Sequence, residues 1–383
     1  MPWRNICPME ERDRFIEDWL EDELSMTGLC AHFGVSRKTG YKWIGRFREK
    51  GGLGLSDASR APRTHPNATR AAMEARVLDF RQRHPLWGPR KLLERLQRIE
   101  PGVVWPASST IGAILKRNGM VVGRKRRRRV QVYKGGLSEG NRPNDVWAAD
   151  FKGWFRTGDG TRIDPLTVSD LASRYLLRVQ SVRQSDMGGI RGHFTAAFRE
   201  YGLPSVIRTD NGLPFASVGL AGLSRLNVWF VRLGIRPERI RPGHPGENGV
   251  HERMHRTLKD ATANPPRGTP KLQQEAFDRF MSEFNDERPH ESLAMRTPAD
   301  VYEKSDRTFP ERLVELKYPA DMFIRKVFET GCIKVEGKLI RVSKSLHGEF
   351  VGLRHVDDGR TDIWFGPTKL GTYNARKRKV ERA

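Results

Sequence analysis

The sequence is short of cysteine and of long apolar runs, and each shortage excludes a class of protein. Its 383 residues include only three cysteines, Cys7, Cys30 and Cys332. An odd, widely spaced set does not form a disulfide framework, so a reducing, cytoplasmic compartment is expected. No apolar run reaches the ~18 residues of a membrane span. The charged start, MPWRNICPMEERDRF, lacks the apolar segment of a secretory signal. We therefore expect no membrane association.

Acidic side chains are also in deficit. The chain has 46 Asp and Glu against 69 Lys and Arg, a formal net charge of +23. A charge of this size repels itself and indicates a polyanionic partner. The excess forms two clusters, at 376–379 and at Arg124, Lys125, Arg126, Arg127, Arg128 and Arg129. Neither cluster lies on an amphipathic apolar stripe, so nucleic acid is favoured over an anionic membrane as the partner.

The apolar residues in 8–50 have helical periodicity, and the pattern predicts that one helix ends near Gly34 and another begins after Ser36. Gly34 suits the left-handed position after a helix, and Ser36 can cap the next helix. Arg37, Lys38 and Lys42 lie near the start of that second helix, the part of a helix-turn-helix that enters a major groove. The alternative is an ordinary helical hairpin, but the charge favours DNA binding. We predict a helix-turn-helix domain over 1–60.

The rest of the chain divides by its periodicity. Helical patterns over 68–122 predict a second helical DNA-binding domain, followed by a basic linker at 123–143. Apolar strand-like runs alternate with helices over 144–303, which predicts an α/β domain. Five short strand-like runs after 304, some separated by Glu-Gly and Asp-Gly turns, predict a small antiparallel β-barrel with a basic tail over 304–383.

Three acidic residues of the α/β domain stand at predicted element ends. Asp150 lies on the first strand, Asp210 follows the fourth strand, and Glu252 is early on a helix. Mg²⁺ is held by one or two carboxylates together with substrate phosphates. Two such ions can activate the attacking oxygen and stabilise the leaving oxygen of a phosphodiester. For any single residue a cap or surface role is the commoner explanation, so the hypothesis depends on the combination.

The segments around these residues resemble insertion-sequence transposases of the retroviral-integrase superfamily. The resemblance is carried by WAADF (147–151), RTDNGLPF (208–215), PGENGVHERMHRTLK (245–259), FNDERPHESL (284–293) and TPA (297–299). Upstream, GVSRKTGYKW (34–43) resembles the DNA-binding helices of the same transposases. The resemblance implies an RNase H-like core and maps the family's DDE triad onto Asp150, Asp210 and Glu252. It also implies two Mg²⁺ ions as cofactors, with Mn²⁺ as a substitute.

Two glutamates, Glu252 and Glu247, are candidates for the third residue of the triad. Between Asp210 and Glu252 lie 41 residues, whereas 36 separate Asp210 from Glu247, and the family pattern is closer to the shorter separation. The local context favours Glu252, because it lies on the helix after Asn248-Gly249. Glu247 instead lies in a loop flanked by Gly and Pro, which positions a ligand poorly. We take Glu252 as the third residue of the triad.

The same helix contains HERMH (251–255), a literal H-E-x-x-H. On a helix its two histidines could bind zinc, with the glutamate as general base of a protease. So short a pattern recurs by chance, and the surrounding motifs already account for Glu252. Arg256 and Lys259 fall on the polar face of this helix, where they could contact DNA phosphates beside the metals.

Together these features predict a DNA transposase of three parts: all-α helix-turn-helix units, an RNase H-like core and a small β-barrel. By resemblance, it cleaves at the ends of its element and transfers the freed 3′-OH into target DNA. Its expected partners are double-stranded DNA, both terminal repeats and target, and at least one further copy of itself. It is expected in the cytoplasm with the nucleoid. A non-catalytic DNA-binding regulator derived from such an element is the alternative.

Overall fold

The computed structural model describes most of the chain, which forms two compact units, Met1–Thr69 and Arg70–Ala383. The described residues are 8–59, 68–121, 136–182, 186–217, 219–242, 244–313, 315–357, 359–377 and 379–382. Within this part of the chain, no helix has the length and apolar content needed to span a membrane.

Three helices build the first unit: α1 (Pro8–Glu21), α2 (Met26–His32) and α3 (Arg37–Lys50). Gly34, between α2 and α3, adopts a φ of 63°, the left-handed conformation that glycine tolerates best. The Ser36 hydroxyl accepts a hydrogen bond from the backbone N of Thr39 at 3.2 Å and so caps α3. The predicted stop and restart of the helix-turn-helix are therefore confirmed.

The helices of the first unit pack closely because of one glycine. A Cβ on Gly40 of α3 would lie 2.6 Å from Met26 Cε and 2.8 Å from Cys30 Sγ, so only a glycine lets α3 approach α2 at this point. Phe15 and Trp43 are buried in the same core. This packing fixes α3 and leaves its charged face exposed.

The second unit begins with three further helices, α4 (Ala71–Arg83), α5 (Pro89–Ile99) and α6 (Ser108–Arg117). They share a core of buried side chains that includes Phe80, Trp87 and Leu92. Arg98 of α5 binds Asp300 at 2.9 Å and donates to the Met295 carbonyl at 3.2 Å. These contacts attach the helices to the last residues of the α/β domain.

A mixed sheet forms the centre of the second unit. Its strands are β1 (Val146–Phe151), β2 (Phe155–Arg156), β3 (Arg162–Asp170), β4 (Leu176–Val182), β5 (Val206–Thr209) and β6 (Arg236–Arg239). The order is β4-β3-β1-β5-β6, and the short β2 pairs with the beginning of β3. β3 runs antiparallel to β1 and β4, whereas β1, β5 and β6 are mutually parallel. This is the strand arrangement of an RNase H-like core, and that part of the predicted fold is supported.

Helices cover both faces of the sheet: α7 (Met187–Tyr201), α8 (Arg225–Arg232), α9 (Gly249–Thr262) and α10 (Pro270–Ser282). Trp147 and Ala149 of β1 belong to the core formed with α7 and α8. Met254 of α9 and Phe277 of α10 pack on the other face against Leu176 of β4. Because side chains alternate along a strand, residue 150 of β1 points toward the face that α9 covers.

The C-terminal region is all β: β7 (Phe323–Lys326), β8 (Cys332–Val335), β9 (Lys338–Arg341), β10 (Phe350–Asp357), β11 (Arg360–Phe365), β12 (Thr368–Asn374) and β13 (Lys379–Arg382). Five of them form an antiparallel sheet in the order β13-β12-β11-β10-β7, and β8 pairs with β9 as a separate hairpin. A barrel requires its edge strands to hydrogen-bond to each other. Among the described strands that closure is missing, so the antiparallel region is observed but the predicted barrel is not confirmed.

Candidate active site

Asp150 is the centre of an acidic cluster on the α9 side of the sheet. Its side chain is 19% exposed, and its carboxylate accepts a hydrogen bond from the backbone N of Phe151 at 2.7 Å. Burial, together with the negative charges of Asp210 and Glu252, raises the pKa of Asp150 to about 7. The structure therefore brings the three carboxylates predicted from the sequence within electrostatic range of one another.

Asp210 reaches the cluster because β5 lies beside β1 and runs parallel to it, so both strands end at the same edge of the sheet. The backbone N of Gly212 donates to Asp210 Oδ1 at 3.0 Å. A Cβ on Gly212 would lie only 2.9 Å from Asp210 Oδ2, so a larger residue here would displace the Asp210 carboxylate. Asn211 donates to the Ile240 carbonyl at 2.7 Å, which anchors the turn next to β6.

Glu252 and Glu247 have different environments. Glu252 is exposed in the first turn of α9 and acts on the pKa of Asp150. Both carboxylate oxygens of Glu247 are engaged by Arg241, one by its backbone N at 2.8 Å and one by its Nε at 2.6 Å. The backbone N–H of Arg241 in particular lowers the pKa of Glu247. The structure groups Glu252, not Glu247, with the two aspartates.

The cluster suits hard divalent cations. All its ligand atoms are carboxylate oxygens, which Mg²⁺ and Mn²⁺ accept. The repulsion that Asp210 and Glu252 exert on Asp150 contributes to its raised pKa, and a bound cation would relieve that repulsion. No three His, Cys, Asp or Glu side chains in the described residues are arranged to hold one ion by themselves. Mg²⁺ does not need such a cage, because one or two carboxylates and substrate phosphates complete its sphere. The residues present therefore fit Mg²⁺.

A lysine that the sequence reasoning missed lies beside the cluster. Lys152 is half-buried, and burial, followed by the charge of Lys259, lowers its pKa. Both lysines line a cavity of about 140 Å³. The sequence did contain a signal for Lys152, because it lies two residues after Asp150, directly after the same strand. Its proximity to Lys259, however, arises only in the folded protein.

The two histidines of the H-E-x-x-H pattern face the sheet and not a metal site. Thr167 donates to the Asp150 carbonyl at 3.1 Å, so its oxygen accepts from His251 Nε2 at 2.7 Å and from His255 Nε2 at 2.6 Å. Ser169 bonds His251 Nδ1 at 2.8 Å. Burial lowers the pKa of His251 to about 3 and that of His255 to about 2, so both are neutral. The structure does not support the zinc-protease hypothesis, because three of the four imidazole nitrogens are hydrogen-bonded to hydroxyl groups of β3. The fourth, His255 Nδ1, lies 3.9 Å from Asp150 Oδ2.

The predicted DNA-binding residues lie at three places. In the first unit, Arg37, Lys38 and Lys42 are exposed on the N-terminal half of α3. In the second, Arg256 and Lys259 are exposed on α9. The cluster at 124–129 and Arg378 lie outside the described residues.

Removing the charge of Asp150 should stabilise the metal-free protein at high pH. The raised pKa means that the carboxyl group favours folding while protonated, and that this contribution is lost as the pH rises through about 7. We expect Asp150→Asn to increase the free energy of unfolding by roughly 2 kcal/mol at pH 8, with the difference shrinking toward pH 4. Urea unfolding in EDTA at several pH values measures it; a variant no more stable than wild type at pH 8 contradicts the expectation.

Comparisons with known proteins agree with this arrangement. Two models of the integrase core domain match residues 140–245 and 233–298. A helix-turn-helix model matches 11–63, and a homeodomain-like model matches 39–115.

Curated relatives come from insertion elements. The chain is 28% identical over 243 residues to an uncharacterized protein of element IS476 from Xanthomonas euvesicatoria, which covers 61% of this chain and 65% of that protein. This chain thus spans slightly less than two thirds of the length of that relative. It is 24% identical over 263 residues to an uncharacterized protein of element IS407 from Burkholderia multivorans, covering 67% of this chain and 90% of that protein.

Among solved structures, similarity is found to the HTLV-2 integrase catalytic core domain in complex with magnesium, with a TM-score of 0.34 and 17% identity over 43% of this chain and 100% of that one. A second match is to a simian T-cell lymphotropic virus intasome bound to a PP2A regulatory subunit, with a TM-score of 0.37 and 17% identity over 81% of this chain and 98% of that one.

Proposed function

Because the chain belongs to the insertion-sequence transposases of the retroviral-integrase superfamily, we propose that it cleaves DNA at the ends of its element and joins them to target DNA. The observation that carries this proposal is the acidic cluster. Three carboxylates from β1, the turn after β5 and the first turn of α9 act on one another, and the pKa of Asp150 is raised to about 7. Perturbed carboxylates at a sheet edge are typical of a catalytic site.

In this proposal Asp150, Asp210 and Glu252 hold two divalent ions, Mg²⁺ or Mn²⁺. When bound, the ions supply Lewis-acid activation of the attacking and leaving oxygens. Asp150 must lose its proton before it can act as a ligand, since a protonated carboxyl group binds metal poorly. Lys152 and Lys259 lie beside the carboxylates and hold a non-bridging phosphate oxygen of the DNA.

The chemistry is two phosphoryl transfers in sequence. First, water attacks a phosphodiester at the element end, the P–O3′ bond breaks, and a 3′-OH is freed. Then that 3′-OH attacks a phosphodiester of target DNA, forming one P–O bond as the target's own 3′-oxygen leaves. No covalent link between protein and DNA is needed. In each step the attacking water or 3′-OH gives up one proton to solvent, and the leaving 3′-oxygen takes one proton up to become a 3′-OH.

DNA recognition is assigned to the helical parts. Arg37, Lys38 and Lys42 at the beginning of α3 would read the terminal repeats in the major groove. Pairing two element ends would require at least two copies of the chain. Work on chromosomal DNA would place the protein with the nucleoid in the cytoplasm.

The test is a cleavage and strand-transfer assay on double-stranded DNA carrying both element ends, with a target plasmid and Mg²⁺ or Mn²⁺. We expect nicks at the element ends, joined products, and loss of both with EDTA. DNA of equal length with scrambled ends is the control. A protein that binds the ends but never cuts them, with either metal and with target supplied, would be the non-catalytic regulator instead.

A further inference from the structure

A second cavity, separate from the acidic cluster, lies along α9. It has a volume of about 690 Å³ and is walled by α5, the end of β3, α9 and the segment after α10. Its cationic residues are Lys91, Arg174, Arg253, Arg256 and Arg288. The carboxylates that line it are only two, Asp170 and Asp260. We call this the basic cavity.

One of those two carboxylates, Asp170, already accepts hydrogen bonds from residues just before β1 and in the turn after β3. Asp170 accepts from the backbone N of Asn144 at 2.8 Å, and from the backbone N and the hydroxyl of Ser173 at 2.7 and 2.6 Å. Asp260 is exposed to solvent. The positive charge of the basic cavity is therefore in excess.

The carboxylates near the basic cavity offset its cations only in part. Burial, and then the charge of Arg288, lowers the pKa of Lys91 to about 8, while the charge of Glu291 acts in the opposite direction. Burial, and then the charge of Arg253, lowers the pKa of Arg174, and Asp170 offsets this only in part. Like charges held together at this cost indicate a site for an anion.

The remaining wall of the basic cavity has an apolar part, formed by Leu86, Met254 and Phe284, and a hydroxyl-bearing part, formed by Ser169, Thr257 and Ser292. His290 Nε2 is buried there without a hydrogen-bond partner in the described part of the chain. A volume of 690 Å³ falls within the ~300–1,000 Å³ range of small-molecule sites. It suits a nucleotide-sized group, not a duplex.

We propose that the basic cavity binds one unpaired nucleotide of a DNA strand, with its phosphodiester on the half-buried cations Lys91, Arg174 and Arg288 and its base against the apolar part of the wall. Base stacking on such walls is the usual way proteins hold nucleotides taken out of a duplex. The proposal rests on the proposed function, because α9 carries both Glu252 of the acidic cluster and Arg253 of the cavity. A strand held there would pass beside the carboxylates.

The test measures binding of a fluorescent single-stranded oligothymidylate to the full chain in EDTA, with a duplex of equal length as the comparison. Lys91→Met and Arg174→Gln should each weaken single-strand affinity about tenfold. Each should also reduce the slope of log affinity against log salt by about 0.7, the value of one lost single-strand phosphate contact. Duplex affinity should change less than about twofold.

Lys271→Met is the matched control, because Lys271 is exposed on α10 and does not line the cavity. It should leave both affinities unchanged. Unchanged single-strand binding in the two cavity variants would overturn the proposal. An equal loss for single strand and duplex would overturn it as well, since the cations would then form a general phosphate surface.

Thermal stability separates a binding role of Lys91 from a structural one. Lys91→Met removes a half-buried charge whose ionised form is disfavoured by burial and by Arg288, and keeps the length of the side chain, so the melting temperature should rise while binding falls. A lysine needed for folding would give a lower melting temperature, which would count against the proposal, and Arg174→Gln then provides the independent binding test. Cavity-dependent binding without any DNA cleavage would refute only the proposed function. Cleavage with normal binding by both cavity variants would refute only the cavity.

Discussion

Asp150→Asn, Asp210→Asn and Glu252→Gln should each lower the rate of DNA cleavage by a factor on the order of 10³ or more, because each would remove a proposed metal ligand worth several kcal/mol in the transition state. Their affinity for element-end DNA should stay within about threefold of wild type, since phosphate contacts by Lys and Arg supply most DNA affinity. Single-turnover cleavage rates and binding curves, measured on the same protein preparations, separate the two effects.

Glu247→Gln is the matched control, with the same chemical change five residues before Glu252. Its carboxylate binds Arg241 and does not act on Asp150, so cleavage should persist. The lost contact with the Arg241 guanidinium should instead lower the melting temperature. If Glu247→Gln stops cleavage while Glu252→Gln cuts normally, the spacing argument from the sequence is right and the assignment of Glu252 is wrong.

The sequence alone was enough to propose the three carboxylates, because each lies in a local motif and at the end of an element. Between Glu247 and Glu252 it gave opposing arguments, because spacing favoured Glu247 whereas the local context, on which Glu252 was chosen, favoured the helix. The salt bridge between Glu247 and Arg241 forms because the 3-10 turn Pro245–Asn248 folds back on the segment that follows β6. The spacing of residues along the sequence does not show this contact. The boundaries at Gly34 and Ser36 were predictable, since capping is a local effect.

Features that depend on distant segments were missed. Periodicity placed His251 and His255 on one face of a helix, but it did not show that this face packs against Thr167 of β3. The basic cavity joins Lys91 to Arg288, nearly two hundred positions along the chain. The C-terminal strands were foreseen from alternation and turns, whereas closure of a barrel depends on tilt and register between strands, which alternation does not encode.

The hydroxyl of Thr167 connects the two strands and the helix that bear on the acidic cluster. Thr167 is fully buried and stands opposite Asp150 in the β1–β3 ladder. Its oxygen bonds His251 Nε2, His255 Nε2 and the Asp150 carbonyl. Glu252 lies between the two histidines on α9. The hydroxyl therefore fixes the helix that carries Glu252 to the strand that carries Asp150, the two elements of the proposed catalytic site.

Thr167→Val keeps the shape of the side chain but removes this hydroxyl, and both histidine Nε2 atoms are left buried without a partner. Each such group costs about 1–3 kcal/mol, so we expect a loss of ~4 kcal/mol in the free energy of unfolding. The cleavage rate at saturating DNA should fall by about 10²-fold, because α9 is no longer held at its distance from β1. More Mg²⁺ should also be needed for half-maximal rate.

Thr167→Ser is the control, since serine retains the oxygen and its three hydrogen bonds and should lose less than about 1.5 kcal/mol from the missing methyl group. Urea unfolding gives the stabilities, and a Mg²⁺ titration of the cleavage rate shows whether the carboxylates have moved. A role limited to packing predicts a stability loss with an unchanged Mg²⁺ requirement. If the valine variant is as stable as the serine variant, the hydroxyl does not hold α9 against the sheet, and the position of Glu252 must be fixed by the apolar contacts of Met254 and Leu258 with that face.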